Sequence, residues 1–462
     1  MKKLIFITLL LLALCGVAQA AEYTVDPAGN GDFATLTEAV AAVNDGDVLI
    51  VRGGTYDNTT ETFPILVEKS ITIKAAEGET PILASPRLLP AMELNVDGII
   101  ASGLQIDFLR SGMWIQGNNV TVENCSFTLA DERWRTSSCG MWVAGAKYLT
   151  LTDNVFNGCG VSLAGPPISD SSAGLPVLTG MFEVGEDIEY FTTHTMTGNL
   201  VNGQPIAYVI DLDNGDYSEP CGQLIAVQCD NTVFHDMECN MVSMGIQIFY
   251  CEGTIVENCT ANDAGIFGIY AAKSYDCILR KCRADRGAHG FDLRAIYDCI
   301  VDGCYSEGSG QGFFFSMAFD SLIVDCDIVN NGTGFFAAAG DRNHMDKCRV
   351  IGNELGIYIE TEPNFTTTDT YFEANINTGA RTLQSPGFAL IGCEIVDNWL
   401  AALCFESKGV FYYANSFSGS EICSMYLKDN IDVRLLNNVF TEADEATMII
   451  AECENLLHWP QN

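Results

Sequence analysis

The feature that most constrains this chain is a step of 22 residues. Five glycines follow one another at that distance: Gly268, Gly290, Gly312, Gly334 and Gly356. Four cysteines, each 14 residues after a glycine, repeat the step: Cys282, Cys304, Cys326 and Cys348. A repeat of 22 residues is too short for two helices with their turns, and the consensus of leucine-rich repeats is absent. The period, filled with short apolar strands, therefore predicts a parallel β-helix, a solenoid whose coils bury their apolar faces against each other.

Alternation within each strand supports this fold. The residues one and three positions after each glycine are apolar, and they are Ile269, Phe291, Phe313, Phe335, Ile357, Ala271, Leu293, Phe315, Ala337 and Ile359. A period of two places all of them on one face, the interior. The four periodic cysteines are then predicted to form a buried stack in adjacent coils. Asparagine takes the same turn position in other coils, at Asn154, Asn415 and Asn438, and its amide would bond the neighbouring turn.

Residues 1–20 are predicted to be an export signal, with Lys2 and Lys3 before an apolar run and Ala18-Gln19-Ala20 as the cleavage site. No other apolar run reaches the length of a membrane span. Removal of the two lysines takes the formal charge from -37 to -39, which argues against nucleic acid and anionic membranes as partners. We expect a protein that is secreted or held at the cell surface, or periplasmic in a source with an outer membrane.

Disulfides are permitted in an exported chain. Cys229 and Cys251 are one period apart, as are Cys277 and Cys299, so each pair is predicted to lie on adjacent coils. That spacing is within disulfide range, although in-register neighbours are poorly angled for the bond, and both the bonded and the free state stay open. No zinc spacing and no nucleotide loop are present, so no metal site is predicted. For the cysteine column, soft-metal binding is the weaker alternative to interior packing.

The pattern divides the chain into a cap, coils and insertions. Thr35-Leu36-Thr37-Glu38 is a capping box that opens a helix over residues 36–43. About a dozen coils are predicted. The predicted segments are the export signal 1–20, an N-terminal cap with the first strands 21–96, coils 97–156, an inserted excursion 157–221, coils 222–440 with an inserted loop 361–386, and a C-terminal cap 441–462.

Two stretches carry a resemblance to known families. The entrance contains GDVLIVRGGTY and then ITIKA, and it resembles the start of pectin-lyase-like β-helix proteins. Residues from about 195 to 360 contain NLVNGQPIAYVI, GQLIAVQCDNTVF and VENC, and they look like NosD-type right-handed β-helix proteins. The resemblance implies an all-β, single-stranded, right-handed parallel β-helix. It also implies copper, because the family includes a periplasmic copper-loading factor. We expect no required cofactor; calcium is compatible with the chain, and copper is disfavoured because repeat architectures recur across unrelated functions.

An outward column of aromatic residues is the main candidate for binding. The residue two positions after each glycine should point outward, and the column contains Trp114, Trp142, Gln247, Tyr270, Asp292, Phe314, Phe336 and Tyr358, with Tyr426 aligned if Ser424 replaces the glycine. Exposed aromatic stripes mark binding sites, and sugar rings stack on such rows. Trp114, Trp142, Tyr270, Phe314, Phe336 and Tyr358 are therefore the candidate carbohydrate-binding residues. Two alternatives stay open: the excursions bury the column as a second core, or it is a protein–protein surface.

Catalytic candidates are few. His289, Asp292 and Arg294 share one coil, and Glu360 is the nearest further acid. No carboxylate pair or base repeats across neighbouring coils, so we expect no turnover of pectate, alginate or galacturonan. The favoured function is a non-catalytic surface or secreted protein that binds polysaccharide or cell-wall glycan, or that self-associates through its coil ends. A lyase or hydrolase acting on acidic polysaccharide is the alternative, and a NosD-like copper-delivery factor is a further one.

Overall fold

The computed structural model describes residues 20–86, 89–166, 187–443 and 446–459. Except for Ala20, the predicted export signal lies outside the described residues, as do residues 167–186 of the predicted excursion. The described strands form a right-handed parallel β-helix of about 19 coils. The predicted fold class is confirmed, and the number of coils exceeds the predicted dozen. No described helix is both long and apolar enough to cross a membrane.

The coils form two successive stacks, which we call the first solenoid (residues 22–201) and the second solenoid (residues 204–459). The first has three sheets. Sheet 1 contains Glu22–Val25, Val48–Val51, Thr72–Ala75, Ile100–Ser102, Thr121–Glu123, Thr150–Thr152 and Thr195–Thr197. Sheet 2 contains Gly54–Asp57, Pro81–Ser85, Gln105–Phe108, Ser126–Leu129, Val155–Asn157 and Leu200–Val201. Sheet 3 contains Ile65–Val67, Pro90–Leu94, Ser111–Ile115, Cys139–Ala144 and Val161–Ala164.

The second solenoid also has three sheets. Sheet 4 contains Gln204–Ile210, Gln223–Val227, Met244–Phe249, Phe267–Ala272, His289–Arg294, Gln311–Ser316, Thr333–Ala338, Leu355–Glu360, Thr378–Leu383, Leu400–Phe405, Cys423–Lys428 and Ala446–Ala451. Sheet 5 contains Asp216–Tyr217, Val233–His235, Ile255–Glu257, Ile278–Arg280, Ile300–Asp302, Leu322–Val324, His344–Asp346, Thr366–Thr368, Ala389–Ile391, Phe411–Tyr413, Arg434–Leu436 and Leu457–Trp459. Sheet 6 contains Tyr305–Glu307, Asp327–Val329, Arg349–Ile351, Tyr371–Glu373, Glu394–Val396, Ser416–Ser420 and Val439–Ala443.

Short helices accompany the first solenoid. The predicted capped helix is present at Leu36–Ala42, where the Thr35 hydroxyl accepts from the Glu38 amide. Its Leu36, Ala39 and Val40 are buried against the first core, so the helix covers that end of the solenoid. Two further helical turns are Glu132–Ser137, of the 3-10 type, and Glu189–Thr192.

A hairpin joins the two solenoids. Leu200–Val201 pairs antiparallel with the start of Gln204–Ile210, and that strand then pairs parallel with Gln223–Val227. Gly203 has a φ of 81°, a left-handed conformation that glycine adopts without strain. Sheets 2 and 4 therefore form one continuous ribbon with a single antiparallel step.

Side chains from the second solenoid form hydrogen bonds with backbone groups at the edge strand of sheet 3 in the first solenoid. Val161–Ala164 is the last strand of sheet 3. The Gln223 amide nitrogen donates to the Val161 carbonyl at 2.6 Å, and the Gln223 oxygen accepts from the Val161 amide at 3.1 Å. Gln247 bonds the same strand, donating to Val161 at 2.9 Å and accepting from Leu163 at 3.3 Å. The edge is thus closed to other strands, and the outer face of the first coils of sheet 4 is covered.

The predicted cysteine stack is confirmed. Cys282, Cys304, Cys326 and Cys348 are buried, and the backbone carbonyl of each accepts from a backbone amide of the following coil. Burial raises the pKa of the Cys304 and Cys326 thiols well above the ordinary value, so these groups are protonated packing residues.

All 18 described cysteines are free in this structure. Cys229 and Cys251 lie on adjacent coils as predicted, with the Cys229 amide 3.3 Å from the Cys251 sulfur. Cys277 and Cys299 are likewise adjacent, since the Cys277 carbonyl accepts from the Ile300 amide of the next coil. The two disulfides themselves stay a prediction.

The predicted interior asparagines are confirmed and extend further than expected. Asn154 donates to the Val122 carbonyl at 2.8 Å, and Asn415 donates to the Leu390 carbonyl at 2.7 Å. A second ladder, not predicted, occupies another turn, and its members are Asn331, Asn353, Asn375 and Asn398. Each amide bonds a carbonyl of the preceding coil and the amide of its neighbour, so the turns of adjacent coils are tied together.

Four predicted segments differ from the structure. Residues 361–386 are a regular coil with strands Thr366–Thr368, Tyr371–Glu373 and Thr378–Leu383. Their polar composition was interpreted as an inserted loop, whereas Thr367 and Thr370 occupy buried interior positions of the coil. Parts of 157–221 and 21–96 also belong to coils. The predicted C-terminal cap is the last coil itself, where Ile450 is 41% exposed. Self-association through this end stays a prediction.

A buried carboxyl makes stability depend on pH. Glu362 is 1% exposed and accepts from the Asn343 side chain and the Gly340 amide. Burial raises its pKa from 4.5 to about 7, against the opposing effect of these hydrogen bonds. The folded state therefore holds this proton to higher pH than the unfolded chain does, and stability falls as pH rises from 4.5 to about 7.

We expect this loss to amount to about 3 kcal/mol, and Glu362→Gln to remove it. The measurement is the free energy of unfolding of both proteins at pH values on either side of this window. Other carboxylates contribute equally to both proteins, so the difference isolates Glu362. Identical pH dependence in the two proteins would contradict the assignment.

Candidate binding site on the outer face of sheet 4

The predicted outward column is present in register along sheet 4. Tyr270, Asp292, Phe314, Phe336 and Tyr358 are direct partners in successive strands. The column continues through Arg381 and Leu403 to Tyr426, so the alignment of Tyr426 is confirmed. Sequence reasoning missed Arg381 because residues 361–386 were read as an insertion.

The first part of the predicted column is buried. Trp114 is 4% exposed, Trp142 is 1% exposed and Tyr270 is 4% exposed. Trp114 and Trp142 belong to sheet 3, and all three rings share a core with Phe249 and Phe267 on the outer face of sheet 4. The second-core alternative therefore describes these three residues, and their rings are not available to a sugar.

The rest of the column forms a half-buried strip, which we call the aromatic strip and define as Phe314, Phe336 and Tyr358. The Phe314 and Phe336 rings are stacked with centroids 5.2 Å apart and planes 11° from parallel. Tyr358 turns its edge to Phe336 at 5.3 Å, and the Arg381 guanidinium lies 4.6 Å from the Tyr358 ring centroid. Because neighbours occupy the ring faces, the strip offers ring edges to a ligand instead of the open faces that the sequence suggested.

Polar groups border the aromatic strip on both sides. Gln311 precedes Phe314 in its strand, and its side-chain oxygen is buried without a hydrogen-bond partner. The Arg381 Nε atom is also buried without a partner. Ser316 and Glu360 lie on the opposite side and are half-buried. A buried polar atom without a partner is costly, and both residues are half-buried. A ligand hydroxyl would therefore add hydrogen bonds here once the Gln311 and Arg381 side chains turn these atoms outward.

An ion cluster stands at one end of the strip. Asp292 is completely buried, and its Oδ1 accepts from Arg294 Nε at 2.6 Å while its Oδ2 accepts from Arg294 Nη2 at 2.8 Å. His289 Nδ1 lies 2.6 Å from Asp292 Oδ2. Burial alone would raise the pKa of Asp292, but the charges and hydrogen bonds of Arg294 and His289 hold it below its usual value. Asp292 is therefore ionised and fully paired.

The predicted catalytic residues are only partly brought together. His289, Asp292 and Arg294 form the cluster, whereas Glu360 is three coils away, about 14 Å along the axis. The Arg294 guanidinium lies 5.0 Å from the Phe314 centroid, and His289 contacts the same ring at 5.1 Å. The cluster thus positions the first ring of the strip. Among the described residues, no group of three or more His, Cys, Asp and Glu side chains is placed to hold a metal ion such as the calcium of a calcium-dependent lyase.

A family model described as "Periplasmic copper-binding protein (NosD)" matches residues 194–378. This segment covers the hairpin and the first coils of the second solenoid, less than half of the chain. The chain has a right-handed parallel β-helix fold. A comparison with curated proteins gave no match.

Solved structures of other β-helices align over most of the chain. The periplasmic alginate epimerase AlgG is 12% identical, with 79% of this chain and 83% of that chain covered and a TM-score of 0.33. The Azotobacter vinelandii mannuronan C-5 epimerase AlgE4 A-module is 10% identical, with 92% of each chain covered and a TM-score of 0.33. Pectate lyase Pel9A is 13% identical, with 95% and 79% covered and a TM-score of 0.25.

Copper, which the matched family's description names, does not fit the aromatic strip or its ion cluster. His289 is engaged by Asp292, and His235 on sheet 5 is held between Asp216 and Asp236 at 2.6 and 2.7 Å. Across the described ranges, no three side chains of His, Cys, Asp and Glu converge closely enough to hold a metal.

Proposed function

We propose that the protein binds a polysaccharide chain along the aromatic strip of sheet 4 and acts outside the cytoplasm without cleaving it. The observation that carries the proposal is the half-buried strip itself, bordered by the unpartnered Gln311 oxygen and the unpartnered Arg381 Nε. Carbohydrates combine apolar C–H surface with hydroxyl groups, and a strip of ring edges between unsatisfied polar atoms complements both.

Binding is favoured over catalysis because the charged groups are already paired with one another. Asp292 has no solvent exposure and both of its oxygens are occupied by Arg294 and His289. A nucleophile or general acid must reach the substrate within hydrogen-bond distance, and Asp292 does not. A lyase or hydrolase acting on acidic polysaccharide remains the alternative, and it would need His289 as the group that meets substrate.

The test is a binding assay of the mature protein against a panel of neutral and acidic wall polysaccharides. We expect Phe336→Ala combined with Tyr358→Ala to weaken binding by more than about tenfold, because central aromatic contacts dominate such interfaces. Arg381→Gln should weaken the binding of either kind of ligand, and more strongly that of an acidic one, because the charge is lost together with the Nε donor. The same incubations, followed by analysis of the polysaccharide, should show no new chain ends.

The matched control is Phe319→Ala with Tyr275→Ala. These rings belong to a second stacked row, Tyr275, Tyr297 and Phe319, on the turn after sheet 4, and Tyr275 is 47% exposed. The control variant should bind as the unaltered protein does. Equal binding by the strip variant, or loss confined to the control, would overturn the proposal.

A further inference from the structure

One arginine of the first solenoid is buried without a counter-ion. Arg110 is 8% exposed, and its Nε atom is enclosed without a hydrogen-bond partner. Burial lowers the pKa of the Arg110 guanidinium, and no carboxyl group of the described chain acts in the opposite direction. The protein has 60 acidic residues and only 23 lysines and arginines, so a buried cation that meets none of these acids is unexpected. Because a buried charge without a partner is costly, Arg110 points to a role beyond packing.

Arg110 lies at a corner of the first solenoid and not among its interior side chains. Leu109 and Arg110 are the two residues that connect Gln105–Phe108 of sheet 2 with Ser111–Ile115 of sheet 3. The Arg110 carbonyl accepts from the Cys139 amide of the next coil at 2.8 Å, which fixes the backbone of this turn. Connecting turns run over the surface of a protein, so a small ion would approach the guanidinium from solvent at the corner.

The strand that follows Arg110 carries two more buried donors without partners. They are the Ser111 hydroxyl and the Trp114 Nε1 atom, on residues that are 2% and 4% exposed. Relative to the glycine of their strand, Ser111 and Trp114 occupy the positions that His289 and Asp292 occupy in sheet 4. Side chains at those two positions of sheet 4 meet at 2.6 Å on the outer face. Ser111 and Trp114 therefore share the outer face of sheet 3.

An acid in the neighbouring strand does not neutralise Arg110. Glu93 pairs in register with Trp114 and is half-buried. Burial raises the pKa of the Glu93 carboxyl, and a hydrogen bond of the Asn95 side chain is the effect that opposes the rise. A guanidinium beside Glu93 would lower this pKa as well. Arg110 and Glu93 are therefore not a pair, and the guanidinium keeps its charge uncompensated.

From these positions we propose that Arg110, Ser111 and Trp114 bind one small oxyanion of the sulfate or phosphate type. Such an ion supplies a negative charge and several acceptor oxygens, which the guanidinium and the unpartnered donors lack. The planar guanidinium suits it, because arginine binds oxyanions through two parallel N–H groups. Only a small part of Arg110 is exposed, and this favours a free ion over a charged sugar within a polymer.

The net charge of the protein makes the test specific. A formal charge of -37 repels anions from most of the surface, so an anion that the protein retains has to be held by local donors. The proposed anion site belongs to sheet 3 of the first solenoid, whereas the aromatic strip belongs to sheet 4 of the second. The anion proposal and the polysaccharide proposal can therefore fail independently.

The test is equilibrium dialysis of the mature protein against radiolabelled sulfate and, separately, radiolabelled phosphate at constant ionic strength. We expect one bound ion per chain. Arg110→Gln removes the charge and should weaken retention by more than about tenfold, because hydrogen bonds to charged groups are the strong ones. Arg110→Lys keeps the charge but loses the planar fork, and it should retain the ion with intermediate affinity. Ser111→Ala should cause a smaller loss than Arg110→Gln.

Arg133→Gln is the matched control, because it removes the same charge from the corner of the next coil. Arg133 is 87% exposed and donates to Asp131 at 3.0 Å. This variant and the aromatic-strip variant Phe336→Ala with Tyr358→Ala should retain the ion as the unaltered protein does, and circular dichroism should show that every variant is folded. The proposal is overturned if the unaltered protein retains no ion, if Arg110→Gln retains as much, or if Arg133→Gln loses it. Tighter binding of a uronic acid oligosaccharide than of either free ion would contradict the assignment to a small ion.

Discussion

Replacing Asp292 with alanine is expected to destabilise the protein by about 3–5 kcal/mol, because it leaves a buried guanidinium without its counter-ion. Arg294 has only 14% of its side chain exposed, and Asp292 has none. Arg294 is flanked by the rings of Phe267 and Phe314 at 5.3 and 5.0 Å, and these do not substitute for a carboxylate. Phe314 would also lose its fixed neighbour, so binding to the aromatic strip should weaken together with stability.

Asp320→Ala is the matched control for this prediction. Asp320 pairs with Arg342 through two hydrogen bonds of 2.6 Å, a geometry like that of Asp292 with Arg294, but the side chains are 38% and 53% exposed. Exposed pairs contribute about 0–1 kcal/mol. Denaturant unfolding of both variants decides the point. Similar losses for Asp292→Ala and Asp320→Ala would show that the cluster is not a buried charge system.

Asn353→Ala should cost about 2–6 kcal/mol, because it leaves two buried backbone groups without partners and each such group costs about 1–3 kcal/mol. The Asn353 side-chain oxygen accepts from the Asn331 amide at 2.8 Å, and its nitrogen donates to the Ile328 carbonyl at 3.0 Å. Asn353 itself is completely buried.

Hydrogen exchange is the suitable measurement, since a long solenoid opens locally and a single global transition does not describe it. The Asn331 amide should exchange much faster in Asn353→Ala, and coils far from residue 353 should keep their protection. Asn157→Ala is the control, because Asn157 is exposed and makes one weak hydrogen bond of 3.4 Å. Unchanged protection of Asn331 in Asn353→Ala would contradict the ladder's role.

The 22-residue period was sufficient to predict most of the fold. The step between Gly268 and Gly356 fixes the register of those coils of sheet 4. Tyr426 was aligned separately, with Ser424 in place of the glycine, because the coils from Tyr358 to Tyr426 advance by 23, 22 and 23 residues. The repeat is not recognisable in the sequence where polar side chains take the interior positions, as Thr367 and Thr370 do. For this reason a regular coil was interpreted as an insertion. Composition alone does not distinguish a threonine that faces the core from one in a loop.

Contacts between the two solenoids could not be predicted from the sequence. Trp114 and Trp142 alternate correctly for an outward face, and only the packing of a distant part of the chain decides that this face is covered.

The most direct test of the central claim is a crystal structure of the mature protein with an oligosaccharide from the polysaccharide that it binds best. We expect sugar density along Phe314, Phe336 and Tyr358, with a sugar hydroxyl donating to the Gln311 side-chain oxygen. Density on the Tyr275, Tyr297 and Phe319 row instead, or an aromatic strip that stays empty while sugar binds elsewhere, would contradict it.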